Sequence, residues 1–486
     1  MDITALLKQP SSSVKPQSGM PQTSTPSTGT GIILSGSQQT VHDRLLNWFR
    51  DPQDTKPAVF RGYAGVGKTT TLVELVATIL KHYPNLPIGM TAPTHKAVKV
   101  MRKNGIKGVL YRTIHSMLGI KEVIDYTTGE IKYKPDTANK LEPPPIEDMK
   151  LLILDETSML SDELFHYLVP YIKKGLKVLF TGDPAQIPPV KHVDCIPFRN
   201  AEHWGMTSVE LTEVIRQKNG NPILEFATAI RTDYKSGSFT PNHHLLDNGE
   251  GIHVVEHASA EEDKILEEYF SSPKFKQDSD YMKVIAWMNR TVDKYNERIR
   301  SILFRDHAHI SDVMVGEKML MAHPFAISAR QLLTRNEEVE VKDVSTVTRE
   351  IMTHNGYGVK TYITVTTYMT KLEWFENGGI KLATVPILHE QSKGEYIKLM
   401  EELKSLAISA DPIRRTALWK QFYNVAEMFA KVKYNYAVTA HTSQGSTYDN
   451  CLVLKWDIDC NQNIEERNRI LYVAATRARN TLFIEI

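Results

Sequence analysis

The chain has 486 residues, 41% of them hydrophobic and 24% charged, with a formal net charge of +1. That length suits about two to four domains, and the neutral balance excludes a globally basic nucleic-acid binder, so any such binding must come from local patches. No apolar run reaches the ~18 residues of a membrane helix, and the first residues lack a charged-then-apolar leader. Three cysteines (Cys195, Cys451 and Cys460) at unrelated spacings offer no metal cluster and point to a reducing compartment.

Residues 1–31 read as a disordered tail. From Gln9 to Gly31 only Val14, Lys15 and Met20 fall outside Ser, Thr, Pro, Gly and Gln. Such a stretch cannot bury enough apolar surface to order itself. Ile3, Leu6 and Leu7 share one helical face, so the tail reads either as a tethered partner-binding peptide or as a plain terminus. An amphipathic helix follows, Val41 to Phe49. Gln38, just before it, reads either as a polar cap or as an amide suited to the adenine edge.

Ala58-Val59-Phe60 is the end of a buried strand, and a helical apolar spacing begins at Thr70. Between them lies Gly62-Tyr63-Ala64-Gly65-Val66-Gly67-Lys68-Thr69, the G-x-x-x-x-G-K-T phosphate-binding loop. Its glycines let backbone N–H groups turn in around phosphate oxygens, and the helix N-terminus adds its dipole. Gly62, Gly65, Val66, Gly67, Lys68, Thr69 and Thr70 are therefore the nucleotide-binding candidates. Lys68 belongs on the β/γ-phosphates of ATP and Thr69 on Mg²⁺.

A strand at Ile88–Ala92 runs through Pro93, Thr94, His95 and Lys96 into another helix. No Asp or Glu occurs from Ala92 to Ile120, yet Lys96, Lys99, Arg102, Lys103, Lys107 and Arg112 do. This suits a nucleic-acid backbone, with a basic helix surface as the alternative. Thr113-Ile114-His115-Ser116 adds short polar groups able to bond phosphates. Val123–Tyr133 alternates around a Thr-Gly tip and reads as a β-hairpin. The Pro-rich stretch at 135–149 makes it an excursion from the sheet.

Lys150–Glu156 is an apolar strand ending in two carboxylates. Asp155 would hold Mg²⁺ through water, opposite Thr69, and Glu156 would polarise the attacking water. The alternative is two acids capping the helix that Thr157 and Ser158 begin. Lys177–Gln186 is a third strand with a polar end, from which Gln186 could sense the γ-phosphate. Strands that all end in polar loops make a parallel sheet with its ligands at the strand C-termini.

A second set begins near Glu210, where Leu211–Arg216 places Arg216 after a short apolar stretch. Val284–Arg290 is another strand entering a helix. Residues 310–390 form a β-rich insertion by their Thr/Val/Tyr alternation. Residues 393–433 are helical, and Trp419, Phe422, Tyr423 and Phe429 there read as packing rather than base-stacking. Tyr436–Thr447 is dense in small polar groups, and Thr481–Ile486 is the last strand. Arg477 is either an arginine finger for the γ-phosphate charge or one half of a surface ion pair.

Taken in order, residues 34–486 resemble a superfamily 1 helicase. Gln38 matches the Q motif, Gly62–Thr69 motif I, Ala92–Ala97 motif Ia and Thr113–Ser116 motif Ib. Asp155–Ser158 matches motif II, Gly182–Gln186 motif III, Arg216 motif IV, Val438–Thr447 motif V and Tyr472–Arg477 motif VI. The T-x-H-x-x-Q-G form of motif V, through Thr439, His441 and Gln444, points to the RecD-like 5′→3′ branch, superfamily 1B. Within it the chain looks most like the Dda-type helicases of T4-like phages.

The resemblance implies an α/β fold of two tandem RecA-like P-loop domains with ATP and Mg²⁺ between them. Lys68, Glu156, Gln186, Arg216 and Arg477 would be catalytic. Single-stranded DNA would cross the tops on Pro93, Thr94, His95, Lys96, Thr113, His115, Thr439, His441 and Gln444. The hairpin would be the pin that splits forked duplex, with Ile131 or Tyr133 as wedge. The β-rich insertion would be an SH3-like barrel carrying a helical tower. The implied domains are 32–200 with the pin insertion at 117–149, 201–309 with 431–486, and the insertion at 310–430. The implied activity is ATP-dependent 5′→3′ unwinding in replication, recombination or repair, the alternative being a translocase that remodels DNA-bound proteins. The expected setting is a monomer in a bacterial host cytoplasm, away from membranes, with a single-strand-binding or replisome protein on the tail.

Overall fold

The computed structural model describes residues 33–63, 65–103, 105–135, 143–189, 194–212, 220–307, 309–328, 331–355, 357–376 and 379–486. The expected tail and Arg216 lie outside the described residues.

The first sheet grows from short apolar runs. Its strands are β1 (Ala58–Gly62), β2 (Ile88–Ala92) and β3 (Val109–Thr113). After an excursion through β4 (Ile120–Asp125) and β5 (Glu130–Pro135) come β6 (Leu151–Leu154), β7 (Lys177–Gly182) and β8 (Thr207–Leu211). The order is β3-β2-β6-β7-β1-β8, all parallel. β2 and β6 are buried along their whole length, as a sheet covered on both faces requires. Neighbouring residues of β1 serve opposite faces. Phe60 packs with Leu45, Leu75 and Ile153, and Val59 with Phe165, Leu152 and Phe180. The parallel register brings the ends of β1, β6 and β7 to one edge, where the site forms.

The expected limits need correction in three places. The second set was expected to begin near Glu210, with the first unit ending at 200. Instead β8 pairs with β1; it is a half-polar edge strand that carries no continuous apolar signal. The hairpin extends to Ile120 and Pro135, beyond 123–133, through the pairs Ile120 with Pro135, Lys121 with Lys134 and Glu122 with Tyr133. The insertion does not end at 430, as shown below.

The second sheet uses β9 (His244–Leu245), β10 (Gly251–Val255) and β11 (Met282–Ala286). The chain then leaves it for β12 (Lys318–Met321), β13 (Phe325–Ser328), β14 (Gln331–Leu333), β15 (Glu338–His354), β16 (Lys360–Glu376), β17 (Gly379–Leu388) and β18 (Val432–Tyr434). It returns through β19 (Ala437–Thr439), β20 (Tyr448–Leu454) and β21 (Ala478–Glu485). The order is β19-β11-β20-β21-β10-β9, parallel except at β9.

The insertion is a five-stranded antiparallel sheet, β17-β16-β15-β12-β18, beside the hairpin β13-β14. β18 pairs with β12, so the insertion closes only after residue 430. Helices Glu390–Ser409 and Pro412–Ala426 follow β17. Leu399, Leu403, Val425 and Phe429 pack on Ile351 and Val365 of the long strands, so the two helices stand against the sheet.

Candidate nucleotide site and strand-separation surface

The P-loop leaves β1 and turns into helix Lys68–His82, whose N-cap is Gly67 at φ +84°. A Cβ there would lie 2.3 Å from Gln38 Nε2, so only glycine fits both the left-handed turn and the close approach. Lys68 Nζ donates to the carbonyls of Gly62 at 2.7 Å and Tyr63 at 2.8 Å. Thr71 Oγ1 donates to the Gly67 carbonyl. Gln38 closes a capping box with Ser35, whose N–H donates to Gln38 Oε1 at 3.0 Å. Gln38 Nε2 lies 3.5 Å from the Gly67 carbonyl. Its amide thus takes part in the polar cap and reaches the P-loop backbone.

Asp155 and Glu156 follow β6 directly. Asp155 Oδ1 accepts the Glu156 N–H at 3.0 Å. Glu156 sits at φ +51°, ψ +41°, a conformation that a non-glycine residue holds only when its surroundings impose it. Burial raises both carboxyls. Glu156 is pushed up to about 7, first by burial and then by Asp155, against the pull of Lys68 and Arg477. Asp155 is raised by burial and held back by Lys68. Glu156 Oε2 is buried without a hydrogen-bond partner, as suits a carboxylate that bonds a reactant.

Residues of both sheets meet on the loop after β7. Gln444 Nε2 donates to Gln186 Oε1 at 2.9 Å and to Ser158 Oγ at 3.2 Å. Asp183, fully buried, accepts Arg231 Nε at 3.1 Å and the Tyr472 hydroxyl at 2.6 Å. Arg231 also stacks 3.5 Å above the Tyr63 ring of the P-loop. Arg469 donates to the carbonyls of Pro184 and Gln186 at 2.9 and 3.1 Å. Arg477 is buried, bonding the carbonyls of Val473 and Ser446. It is not an exposed surface pair, and its charge is felt at Glu156.

The sequence reading missed Arg231 and Arg469. Each is an ordinary helix arginine, and no local pattern marks its partner 48 or 283 residues away. Gln444 needs correction: only 3% exposed, it faces the loop after β7 instead of an open DNA surface. The reason is that Ser158 and Gln186 take up its amide.

The other residues expected to contact DNA lie at strand ends and short helix caps, Thr113 among them being buried. Pro93, Thr94 and His95 are partly or fully exposed at the end of β2, and His115 is partly exposed after β3. Burial lowers the pKa of both His95 and His115; the neighbouring His115 lowers His95 further, whereas Glu163 pulls His115 back up. Thr113 and Thr439 cap their short helices with their hydroxyls, and His441 stands at the second cap, partly buried. Lys96 reaches across to the second sheet, 3.5 Å from Asp280 and 4.9 Å above the Tyr448 ring.

β4 and β5 form the projecting hairpin. Ile131 pairs with Ile124 and Tyr133 with Glu122, so the four share one face. Ile131 and Tyr133 are 45% and 51% exposed. The tip is not free. Gly129, at φ +75°, lies against Trp419, whose ring would be 2.3 Å from a Cβ. The Tyr423 hydroxyl donates to the Gly129 carbonyl at 2.6 Å, and the Tyr126 and Tyr423 rings meet edge-on. Trp419, Phe422 and Tyr423 thus pack, and what Trp419 and Tyr423 pack on is the hairpin tip.

Two parallel P-loop-type sheets, with a nucleotide site on the first and a buried arginine from the second beside it, define a two-domain motor ATPase. Residues 37–257 match the family model of an AAA domain, and residues 434–484 match that of the UvrD-like helicase C-terminal domain. The chain is 29% identical to the ATP-dependent DNA helicase Dda of Enterobacteria phage T4, over 87% of this chain and 92% of that protein. It is 25% identical to an uncharacterised protein of Acanthamoeba polyphaga mimivirus, over 93% and 99%. A stretch covering 40% of this chain is 33% identical to the ATP-dependent RecD2 DNA helicase of Deinococcus radiodurans, over 24% of that protein. Among solved structures it is similar to the Pif1 helicase of Candida albicans, with 17% identity, 93% and 94% coverage and a TM-score of 0.48. Along most of its length the chain is thus similar to ATP-dependent DNA helicases.

Proposed function

We infer that this chain is an ATP-dependent DNA helicase that moves 5′→3′ on single-stranded DNA and parts duplex at the pin. The observation that carries this reading is the loop after β7, which residues of both sheets hold at once. The P-loop glycines form a cradle for a phosphate chain, and Lys68 sits at its base. Bound Mg²⁺, held by Thr69 and through water by Asp155, would neutralise charge on the transferred phosphate. Glu156 orients the attacking water with its unpartnered oxygen, and Arg477 offsets the charge that develops on the γ-phosphate. Gln186 reports that phosphate to Gln444. Arg216 would join them.

Hydrolysis releases these ties and the cleft relaxes. Pro93, Thr94, His95, Lys96, Thr113 and His115 on one side, and Thr439 and His441 on the other, then alternate their grip on the strand. A duplex step costs about 1.4 kcal/mol to unstack, small enough for Ile131 or Tyr133 to force on a braced pin. That brace favours unwinding over protein remodelling alone. The first motor unit runs through Leu211. The second comprises β9–β11 and β19–β21, and the insertion between them covers the strand in the manner of an SH3-like barrel. No described helix is long and apolar enough to cross a membrane. Action as a monomer in a host cytoplasm belongs to the same reading.

The test is DNA-stimulated ATP hydrolysis by Glu156→Gln. The variant should keep ATP and DNA binding and lose roughly 10²–10⁴-fold in turnover. Hydrolysis at the wild-type rate would remove Glu156 from its role.

A further inference from the structure

The outer face of the insertion's sheet carries three apolar side chains in one patch. In the β16–β17 pair, Phe375 lies opposite Ile380 and Glu373 opposite Leu382. Cross-strand partners share a face, so these residues stand together, away from the core face of Leu372 and Trp374. Phe375, Ile380 and Leu382 are 51%, 66% and 49% exposed. Glu373, the acid among them, is paired with Lys342 at 3.0 Å, so its charge is offset.

This patch reaches the first motor unit. Lys99 Nζ, on helix His95–Lys103, stands 5.7 Å from the centroid of the Phe375 ring. Lys99, Arg102 and Lys103 are exposed on that helix, in a stretch without acids from Ala92 to Ile120. An exposed aromatic face beside a row of cations is the chemistry that holds single strands: bases stack on the ring and phosphates pair with the ammonium groups. A mere closure contact between insertion and first unit would bury the ring, whereas half of it is open.

We propose that Phe375, backed by Ile380 and Leu382, is a base-stacking platform for single-stranded DNA, with Lys99 at the adjoining phosphate. This rests on the inferred path of the strand across helix His95–Lys103. The test uses the full chain and fluorescent oligothymidylate, with binding read by anisotropy over a salt series. Phe375→Ala should weaken binding about 5- to 100-fold without changing the salt slope, and Phe375→Trp should bind like wild type. Lys99→Ala should lower the slope by about 0.7. An abasic strand of equal length should erase the difference between wild type and Phe375→Ala. Binding by Phe375→Ala equal to wild type, or an equal loss on the abasic strand, overturns the platform. Failure of the wild type to bind oligothymidylate overturns the strand path itself.

Discussion

Gln444 Nε2 lies 2.9 Å from Gln186 Oε1, one residue from each side of the cleft. Motif V thus touches the loop expected to sense the γ-phosphate directly, with Ser158 of motif II as a second acceptor. A change in nucleotide state can pass to the second motor unit through one side-chain amide.

Gln444→Ala tests that link. It leaves the buried Gln186 oxygen without its donor, a loss of about 1–3 kcal/mol. DNA-stimulated turnover should fall roughly 5- to 100-fold, while affinity for single-stranded DNA in the absence of ATP stays near wild type. Steady-state kinetics and anisotropy check the two halves. A variant that loses DNA affinity and keeps stimulated turnover would return Gln444 to the DNA surface.

The braced hairpin, proposed as the pin, gives a second prediction. Gly129→Ala forces a side chain into a left-handed turn and against the Trp419 ring, so the hairpin must leave its seat. Unwinding should drop on the order of tenfold or more, while DNA-stimulated ATP hydrolysis is retained. Parallel unwinding and ATPase assays decide it. Equal losses in both would mean that the pin does more than split the fork.

Asp183 supports the whole interdomain loop. It is fully buried and holds Arg231 and Tyr472. Asp183→Ala strands a partly buried guanidinium, which should cost about 3–5 kcal/mol. Denaturant unfolding should show a lowered midpoint. An unchanged midpoint would mean that Arg231 finds another partner.

Lys283 supplies a pH signature. It is fully buried, donates to the Asn435 carbonyl and lies 5.3 Å from the Tyr448 ring. Burial pushes its pKa down to about 8. Between pH 8 and the ordinary lysine value the unfolded chain binds the extra proton, so stability rises with pH across that window and is lost as pH falls through it. Unfolding measured for wild type and Lys283→Met should show the difference shifting in favour of wild type from pH 8 to 10. A flat difference would mean that the ammonium is solvated.

The nucleotide site was legible because its parts are local. A strand end, a glycine turn and a helix start carry the P-loop within a few residues, and an apolar run ending in Asp155 and Glu156 needs no distant partner. The two sheets followed from apolar runs ending in polar loops. What stayed hidden depends on tertiary contact. Trp419 and Tyr423 were visible as packing aromatics, but nothing nearby says that they pack on Gly129. Arg231 and Arg469 look like any helix arginine until the loop after β7 folds against them. Edge strands such as β8 and β18 escape because a half-polar or very short strand has no periodic signature.

The central claim is directional, ATP-driven strand separation. The measurement that tests it most directly is unwinding of two duplexes, one with only a 5′ single-stranded overhang and one with only a 3′ overhang. The account predicts ATP-dependent unwinding from the 5′ overhang alone. Unwinding from the 3′ overhang alone would contradict the direction and the role of the pin. Unwinding of neither, with ATP hydrolysis still stimulated by DNA, would contradict strand separation and leave a translocase.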